Sequence, residues 1–441
     1  MESPTLALFG GPRAVGSDPA DTFQWPIVTD ADEEAILSVL RQGSMSGIDI
    51  TQMFEQEFAE WQGRAYALGF NTGTASLHAA MYGVGVGVGD EIICPSITYW
   101  ASALQTFSMG ATVVFADIDP ETLCIDSDDI EPRITEHTKA IMVVHYSGHP
   151  AEMDAIMAIA NRYQIPVIED VSHAHGGLYE GRRVGNFGAV AAMSLMSGKS
   201  LPIGEGGILV TDDREIYERA IAFGHYRRFD DTIQSPALRP YRELPLAGQK
   251  YRMNQLCSAM GRVQLQAYDE RAAEIRHAIH AFWDALDGVR GVRAHRVDRE
   301  SDSTMAGWYS AAGLYVPEEL EGLSLTRFAE AVRAEGSTCN PGVNKPLHLH
   351  PLFNTCDVYG HGKPTRLAHT DRDLRQPPGS LPVSEAIGRR AFRIPQFKRY
   401  NPDVIEEHAA AYRKVCENYS LLLEDDPGDP PELGTWAAAL D

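Results

Sequence analysis

Three short stretches of the chain carry side chains that could act together in catalysis. They are residues 71–76 (NTGTAS), residues 165–170 (IPVIED) and residues 194–207 (SLMSGKSLPIGEGG). The last stretch holds Lys199 on a glycine-rich turn between two predicted strands. An amine in a partly apolar turn can have its pKa lowered and then acts as a Schiff-base nucleophile. An isolated lysine on a turn is more often simply solvated, so the interpretation depends on its neighbours.

The other two stretches supply groups of complementary chemistry. Residues 71–76 follow a predicted strand and open a predicted helix, where free backbone N–H groups and hydroxyls suit a phosphate. The alternative for these residues is a plain Ser/Thr helix cap. Asp170 ends an apolar strand, the position at which ligands bind in open α/β sheets. Its carboxylate can pair with a protonated ring nitrogen, cap a helix or lie at the surface.

Together, these groups match the needs of one cofactor. Pyridoxal 5′-phosphate requires a phosphate-binding helix start, an acid beside its ring nitrogen and a lysine amine for attachment. The chain contains all three, in the order Gly73-Thr74, Asp170, Lys199. The sequence therefore predicts a site for pyridoxal phosphate.

The order and the residue sequences of these motifs resemble those of a known family, the DegT/DnrJ/EryC1/StrS sugar aminotransferases. The most specific motifs are residues 73–77, 169–176 and 194–207, and the resemblance extends from Leu8 to the last helix. It implies the aspartate-aminotransferase fold (fold type I). This is an α/β fold whose large domain has a mostly parallel, mixed sheet sandwiched by helices, with a smaller α+β C-terminal domain. Within the family, residues 119–126 and 250–253 look closest to the inosose aminotransferases.

The resemblance also assigns roles to individual residues. Lys199 is implied to bind the cofactor as a Schiff base and then to move the proton, with Asp170 at the ring nitrogen. The other implied cofactor contacts are Gly73, Thr74, Ala75 and Ser194 at the phosphate, Tyr99 stacked on the ring, and His173 at the ring hydroxyl. Trp100 is the alternative to Tyr99, and a satisfied core histidine is the alternative for His173.

Two further regions bear on cofactor and substrate. Many family members have Asn where this chain has Lys250, and that Asn reaches the phosphate of the neighbouring subunit; Lys250 either takes this role or points to solvent. The predicted substrate residues are Trp308, Tyr309, His348 and His350. The pairs His173/His175 and His348/His350 have the spacing of a metal chelate on a strand, but no third ligand accompanies them. We therefore predict no metal.

The reaction implied by the resemblance is a ping-pong transamination. An amino group passes from L-glutamine or L-glutamate to the cofactor and then to a keto sugar or keto cyclitol, in aminosugar, aminocyclitol or antibiotic biosynthesis. A nucleotide-linked keto sugar is an alternative acceptor. A sugar dehydratase of the same fold would have histidine in place of Lys199, and a non-catalytic relative would not need the complete lysine, aspartate and phosphate set.

The elements that must position these residues follow a βαβα rhythm, which predicts a mostly parallel sheet wrapped by helices. The predicted strands are 65–70, 91–94, 112–116, 140–145, 167–170, 190–195 and 207–211. The predicted helices include 74–82, 100–109, 153–163, 254–287, 325–335 and 401–423. The glycine-rich run 83–89 ends a helix and precedes a strand, so we interpret it as a cap and turn and not as a nucleotide loop.

The length of 441 residues predicts two domains. We expect an N-terminal arm (1–30), a large cofactor-binding domain (31–265), a small C-terminal domain (266–423) and a loose acidic tail (424–441). The resemblance implies a homodimer with shared active sites, in which loop 230–250 and Lys250 cross the interface.

The bulk composition restricts the partners. A net charge of −23 argues against nucleic acid and against anionic membranes as general partners. No apolar run approaches the roughly 20 residues of a membrane span, and no signal peptide is visible. Six scattered cysteines without a CxxC pair fit a reduced, cytoplasmic protein.

Overall fold

Thirteen strands and thirteen α-helices make up the computed structural model, which describes residues 5–17, 19–225, 228 and 232–436. The strands are β1 (Tyr66–Phe70), β2 (Glu91–Pro95), β3 (Thr112–Ala116), β4 (Thr138–Val144), β5 (Val167–Asp170), β6 (Leu178–Tyr179), β7 (Arg182–Arg183), β8 (Val190–Ser194), β9 (Gly207–Thr211), β10 (Val292–Ala294), β11 (Ala312–Tyr315), β12 (Asn340–Pro341) and β13 (Ala391–Arg393). The helices are α1 (Ala20–Phe23), α2 (Asp30–Gln42), α3 (Asp49–Gln62), α4 (Gly73–Gly83), α5 (Gln105–Ser108), α6 (Met153–Tyr163), α7 (Arg214–Gly224), α8 (Gln255–Gln266), α9 (Tyr268–Asp284), α10 (Leu325–Ala334), α11 (Pro351–Asn354), α12 (Pro382–Ala386) and α13 (Pro402–Glu417).

Seven of the strands form one sheet in the order β1-β9-β8-β5-β4-β2-β3. The neighbours from β8 to β3 pair in parallel, and β9 runs antiparallel to both β1 and β8. Helices cover the sheet, with α4 against β8 and β9 and α7 against β1. Strand β4 is buried from Ala140 to Val144. Its continuous run of apolar residues is typical of a strand that is covered on both faces of the sheet. The predicted α/β class with a mostly parallel, mixed sheet is thus confirmed.

A second, antiparallel sheet of four strands has the order β10-β11-β13-β12. Helices α9, α10 and α13 pack near it around a separate apolar core that includes Phe282, Phe328 and Tyr412. The chain between these strands also returns to the first core, where Phe353 and Leu381 are buried. The domain boundaries at residues 30, 265 and 423 remain predictions. Residues 1–4 and 18 of the arm and 437–441 of the tail lie outside the described residues.

Two predicted helices differ from those observed. The segment predicted as helix 100–109 forms a 3-10 turn, Trp100–Ser102, and the short helix α5. Here Thr106 Oγ1 donates to Ala103 O (2.8 Å), and such local side-chain hydrogen bonds compete with a regular helix. The pattern from 254 to 287 forms two helices, α8 and α9, which are separated at Ala267. Helix α4 ends at Gly83, one residue beyond the predicted end, and the glycine-rich run leads to β2 as predicted.

Residues 354–382 cover the outer edge of β3, the last strand of the large sheet. Gln376 Oε1 accepts from Phe115 N (3.0 Å), and Gln376 Nε2 donates to Phe115 O (2.8 Å). Arg366, 1% exposed, donates from Nε to Val113 O (2.9 Å). A bare edge would expose these backbone groups to pairing with other chains. The segment therefore completes the hydrogen bonding of the sheet.

The acidic tail, expected to be loose, contacts the folded chain over its described part. Asp426 accepts from the backbone N–H of Ser324 (2.7 Å), and Asp429 accepts from that of Thr326 (2.8 Å). These carboxylates lie at the N-terminus of α10, where negative charge is favourable.

No helix in the part of the chain that the structure describes is long and apolar enough to cross a membrane.

Candidate active site

A cavity of about 290 Å³ opens where the parallel strands end. Val144, Asp170 and Ser194, the last residues of β4, β5 and β8, all line it. This is the edge at which open α/β sheets bind ligands. Eight of the predicted site residues line the cavity: Gly73, Thr74, Tyr99, Asp170, His173, Ser194, Lys199 and Tyr309.

The first turn of α4 and the end of β8 form a small cup on one wall. A Cβ atom at Gly73 would lie 2.5 Å from Ser194 Cβ, so only glycine allows the helix start to approach the strand this closely. The first N–H groups of a helix have no intrahelical acceptor and favour an anion. Ala75 lies outside the cavity lining, and its N–H donates to Thr72 Oγ1 (3.0 Å). Of the predicted phosphate contacts, Gly73, Thr74 and Ser194 thus remain in the cavity lining.

Asp170 is buried at the end of β5, with 5% of its surface exposed. Ser102 Oγ donates to Asp170 Oδ2 (2.7 Å), and the backbone N–H of Ser172 donates to Oδ1 (3.1 Å). These bonds fix the orientation of the carboxylate. A buried anion of this kind is suited to a cationic ring nitrogen.

Lys199 lies on the turn between β8 and β9 and is 8% exposed. Its N–H donates to Met196 O (2.8 Å), and its carbonyl accepts from Trp25 Nε1 (3.0 Å), which fixes the backbone of the turn from both sides. The Nζ atom lies 3.6 Å from the ring centroid of Tyr309. Burial lowers the pKa of the Lys199 amine to about 8, and the charge of Asp170 partly opposes this effect.

His173 lines the cavity between two aromatic rings. The backbone N–H of Ser147 donates to His173 Nδ1 (3.3 Å), so the ring proton resides on Nε2. Its ring centroid lies 4.5 Å from that of Tyr309 and 5.5 Å from that of Tyr146. Burial lowers the pKa of His173 well below its ordinary value, so the imidazole is neutral and offers one N–H donor.

Besides Ala75, four predicted residues lie outside the cavity lining. Lys250 is exposed, and Trp308 is buried directly before Tyr309. His348 is enclosed between Ser96 Oγ (2.8 Å) and Glu385 Oε1 (3.1 Å), so both of its ring nitrogens already have partners. His350 Nδ1 accepts from the N–H of Leu352 (3.0 Å) and caps a short helix. We therefore leave the two histidines out of the proposed substrate site.

The cavity also contains residues that were not predicted. Arg393 on β13 and Asn344 after β12 reach it from the second sheet, and Tyr146 and Glu205 line it as well. Among the described residues, Arg393 is the one guanidinium in the cavity lining. Neither Asn344 nor Arg393 was among the predicted site residues, and no motif pointed to Arg393.

The residues present fit pyridoxal phosphate. One cavity brings together a helix that begins at a glycine, a buried carboxylate and a buried amine. These are the three groups that the cofactor needs. Within the described ranges, no group of three His, Cys, Asp or Glu side chains is placed to hold a metal ion.

Comparison with known proteins extends over nearly the whole chain. The profile of the DegT/DnrJ/EryC1/StrS aminotransferase family matches residues 26–410. L-glutamine:scyllo-inosose aminotransferase of Streptomyces griseus is 31% identical over 442 residues, covering 94% of this chain and 98% of that protein. GDP-perosamine synthase of Escherichia coli O157:H7 is 38% identical over 380 residues, covering 85% and 90%. The crystal structure of an aminotransferase from Psychrobacter cryohalolentis superposes with a TM-score of 0.78 at 29% identity, covering 90% of this chain and 99% of that one.

The lowered pKa of Lys199 predicts how cofactor uptake depends on pH. Only the neutral amine attacks an aldehyde, so the rate at which apoprotein takes up pyridoxal phosphate should rise with pH, with a midpoint of about 8. In Asp170→Asn the opposing charge is lost, so this midpoint should move to lower pH. Stopped-flow absorbance measures both profiles. A wild-type midpoint at the ordinary lysine value of 10.5, or an unchanged midpoint in Asp170→Asn, would contradict the geometry.

Proposed function

The chain belongs to the DegT/DnrJ/EryC1/StrS aminotransferase family, and we propose that it moves an amino group from L-glutamine or L-glutamate to a keto cyclitol or keto sugar. The family membership confirms the predicted resemblance, the enzyme class and the cofactor: the protein is a pyridoxal-phosphate-dependent aminotransferase. The observation that carries the proposal is the shared cavity of Lys199 and Asp170 beside the cup at Gly73.

Each cofactor-binding residue is proposed to have one task. Gly73, Thr74 and Ser194 hold the phosphate, and Asp170 holds its negative charge opposite the ring nitrogen. Bound pyridoxal phosphate supplies an electron-withdrawing ring that makes the proton on the amino-bearing carbon of the donor acidic. Lys199 binds the cofactor and then carries that proton on Nζ, for which a pKa of about 8 is well matched to near-neutral pH.

Neutral donors and aromatic rings complete the proposed cofactor site. His173 offers its Nε2–H, because Nδ1 already accepts from the backbone of Ser147. Tyr99 lies in the cavity lining with its ring 4.8 Å from that of Trp100, so we keep Tyr99 as the stacking residue. Tyr309 packs on the Lys199 amine and restricts access of water to it.

Arg393 is the proposed partner of the donor carboxylate. Both donors that we propose are amino acids, and each carries a carboxylate beside the amine that it gives up. A guanidinium binds a carboxylate through two parallel hydrogen bonds. Tyr309, which the sequence predicted as a substrate residue, and Ser310 also line the cavity, and we propose them as part of the substrate site.

A nucleotide-linked keto sugar is the second candidate acceptor. GDP-perosamine synthase of Escherichia coli O157:H7 is 38% identical to this chain, whereas the matching inosose aminotransferases are 31–35% identical. Those inosose aminotransferases include one that matches this chain over 94% of its length, which favours a free cyclitol. The two acceptor classes differ in whether a diphosphate must be accommodated.

A half-reaction panel tests the function directly. We expect L-glutamine or L-glutamate to bleach the visible band of the bound cofactor, and one keto compound to restore it. The panel contains scyllo-inosose, 2-deoxy-scyllo-inosose and a nucleotide-linked keto sugar, and the Lys199→Ala variant is the control without a visible band. Restoration by the nucleotide-linked sugar alone would select the second candidate. Failure of every amino acid to bleach the band would contradict aminotransferase activity.

We also propose a homodimer whose loop before Lys250 crosses to the partner. Tyr241 and Leu244 are large apolar residues in this loop and are 57% and 73% exposed, and Lys250 itself is exposed. An exposed apolar loop with a cation at its end suits contact with the phosphate site of a second copy. Residues 230 and 231 of the loop lie outside the described part of the chain. The cytoplasmic location expected from the six cysteines stays a prediction.

Sedimentation measures the proposed dimer. The active holoenzyme should sediment as a dimer. Because Lys250 is proposed to contact the phosphate site of the second copy, Lys250→Ala should weaken cofactor affinity. The visible band of the saturated enzyme should stay unchanged. Lys363→Ala, which removes another exposed lysine, is the matched control and should leave affinity unchanged. A fully active monomer would rule out the shared site.

A further inference from the structure

The C-terminal segment, residues 432–436, runs beside the part of the chain that carries Asn344. Lys345 N donates to Thr435 O (2.9 Å), and Thr435 N donates to Val343 O (3.2 Å). These two bonds lie on either side of Asn344, which pairs with Thr435 in a parallel bridge. The backbone on both sides of Asn344 is therefore held by Thr435.

Two glycines permit this contact. A Cβ atom at Gly434 would lie 2.1 Å from Val343 O, and one at Gly342 would lie 2.4 Å from Gly434 N. Both residues also have positive φ angles, 94° and 84°, which other residues adopt at a cost. Any larger residue at either position would push the two segments apart.

Side chains strengthen the same contact. Trp436 packs edge-on against His350, with ring centroids 4.7 Å apart. Lys345 Nζ lies 5.5 Å from the Trp436 ring centroid and 2.7 Å from Glu432 Oε2. In the ion pair, the side chain of Glu432 is exposed. Trp436, in contrast, is partly buried against the core of the large sheet. The segment is thus anchored on both sides of Thr435.

Asn344 connects this contact to the cavity. It lines the cavity and is 7% exposed. The hydroxyl of Tyr146 donates to Asn344 Oδ1 (2.6 Å), and the oxygen of that hydroxyl accepts from the backbone N–H of Asn344 (3.1 Å). Tyr146 in turn packs against His173. Over the described residues, Asn344 Nδ2 has no hydrogen-bond partner, so an amide donor remains at the cavity wall.

We propose that the C-terminal segment positions Asn344 so that its Nδ2 donates a hydrogen bond to an oxygen of the keto acceptor. This inference rests on the proposed function. A keto cyclitol or keto sugar has many neutral oxygen atoms, which suit an amide donor, whereas the carboxylate of the amino-acid donor suits Arg393. Residues 432–436 touch the acceptor only through Asn344, so they are positioning residues.

The Gly434→Ala variant tests the contact. Its Cβ displaces the segment, so the KM for the keto acceptor should rise about tenfold, the size of one lost hydrogen bond. The KM for the amino-acid donor and the visible band of the bound cofactor should stay unchanged. Gly428→Ala is the matched control, because Gly428 also has a positive φ angle (73°) but no atom within 4 Å of an added Cβ.

A double-mutant cycle connects the segment to Asn344. Asn344→Ala alone should raise the acceptor KM by a similar factor, and adding Gly434→Ala should raise it little further, because both changes remove the same hydrogen bond. In parallel, hydrogen exchange at the Lys345 amide should be slow in the wild type and fast in Gly434→Ala. If Gly434→Ala fails to fold, a chain that ends at Pro431 replaces it.

The outcomes separate this inference from the function itself. An unchanged acceptor KM in Gly434→Ala, together with fast exchange at Lys345, would overturn the inference. An equal rise in the donor KM would also overturn it, since the segment would then support the cavity as a whole. If the wild type aminates no keto compound, the proposed function fails first, and the half-reactions of the wild type reveal this without any variant.

Discussion

A lysine amine and a carboxylate share a buried cavity at one edge of the sheet, and the rest of the site is arranged around them. Burial lowers the pKa of Lys199 to about 8, while the charge of Asp170 acts on that pKa in the opposite direction. Burial alone does not select this lysine, because the partly buried Lys398, which packs over Trp25, also has a pKa lowered to about 8. Within the described chain, Lys199 is the lysine in the cavity lining, beside a carboxylate and a helix start.

The parts of the site that could be predicted lie within continuous motifs. Asp170 is the last residue of β5, and Gly73 and Lys199 follow β1 and β8 closely. The carboxyl ends of parallel strands meet at one edge of a sheet. Local sequence therefore determines where these groups converge. The fold was predictable for a similar reason, since strands covered on both faces have long apolar runs.

Other parts of the site arrive from distant segments and have no local signature. Arg393 and Asn344 come from the second sheet, and Trp25 reaches the carbonyl of Lys199 from the N-terminal arm. His348 was predicted to contact substrate, but its ring nitrogens hydrogen-bond to Ser96 and Glu385 in the interior. Such pairings depend on tertiary packing, which a motif does not record.

The most direct test of the account is to find which lysine carries the cofactor. The holoenzyme is reduced with borohydride, which fixes pyridoxal phosphate on its lysine, and the digested protein is sequenced by mass spectrometry. We expect the label on Lys199, with Lys398 and Lys250 unlabelled. A label on Lys398, or on any lysine other than Lys199, would show that the cavity beside Asp170 is not the active site.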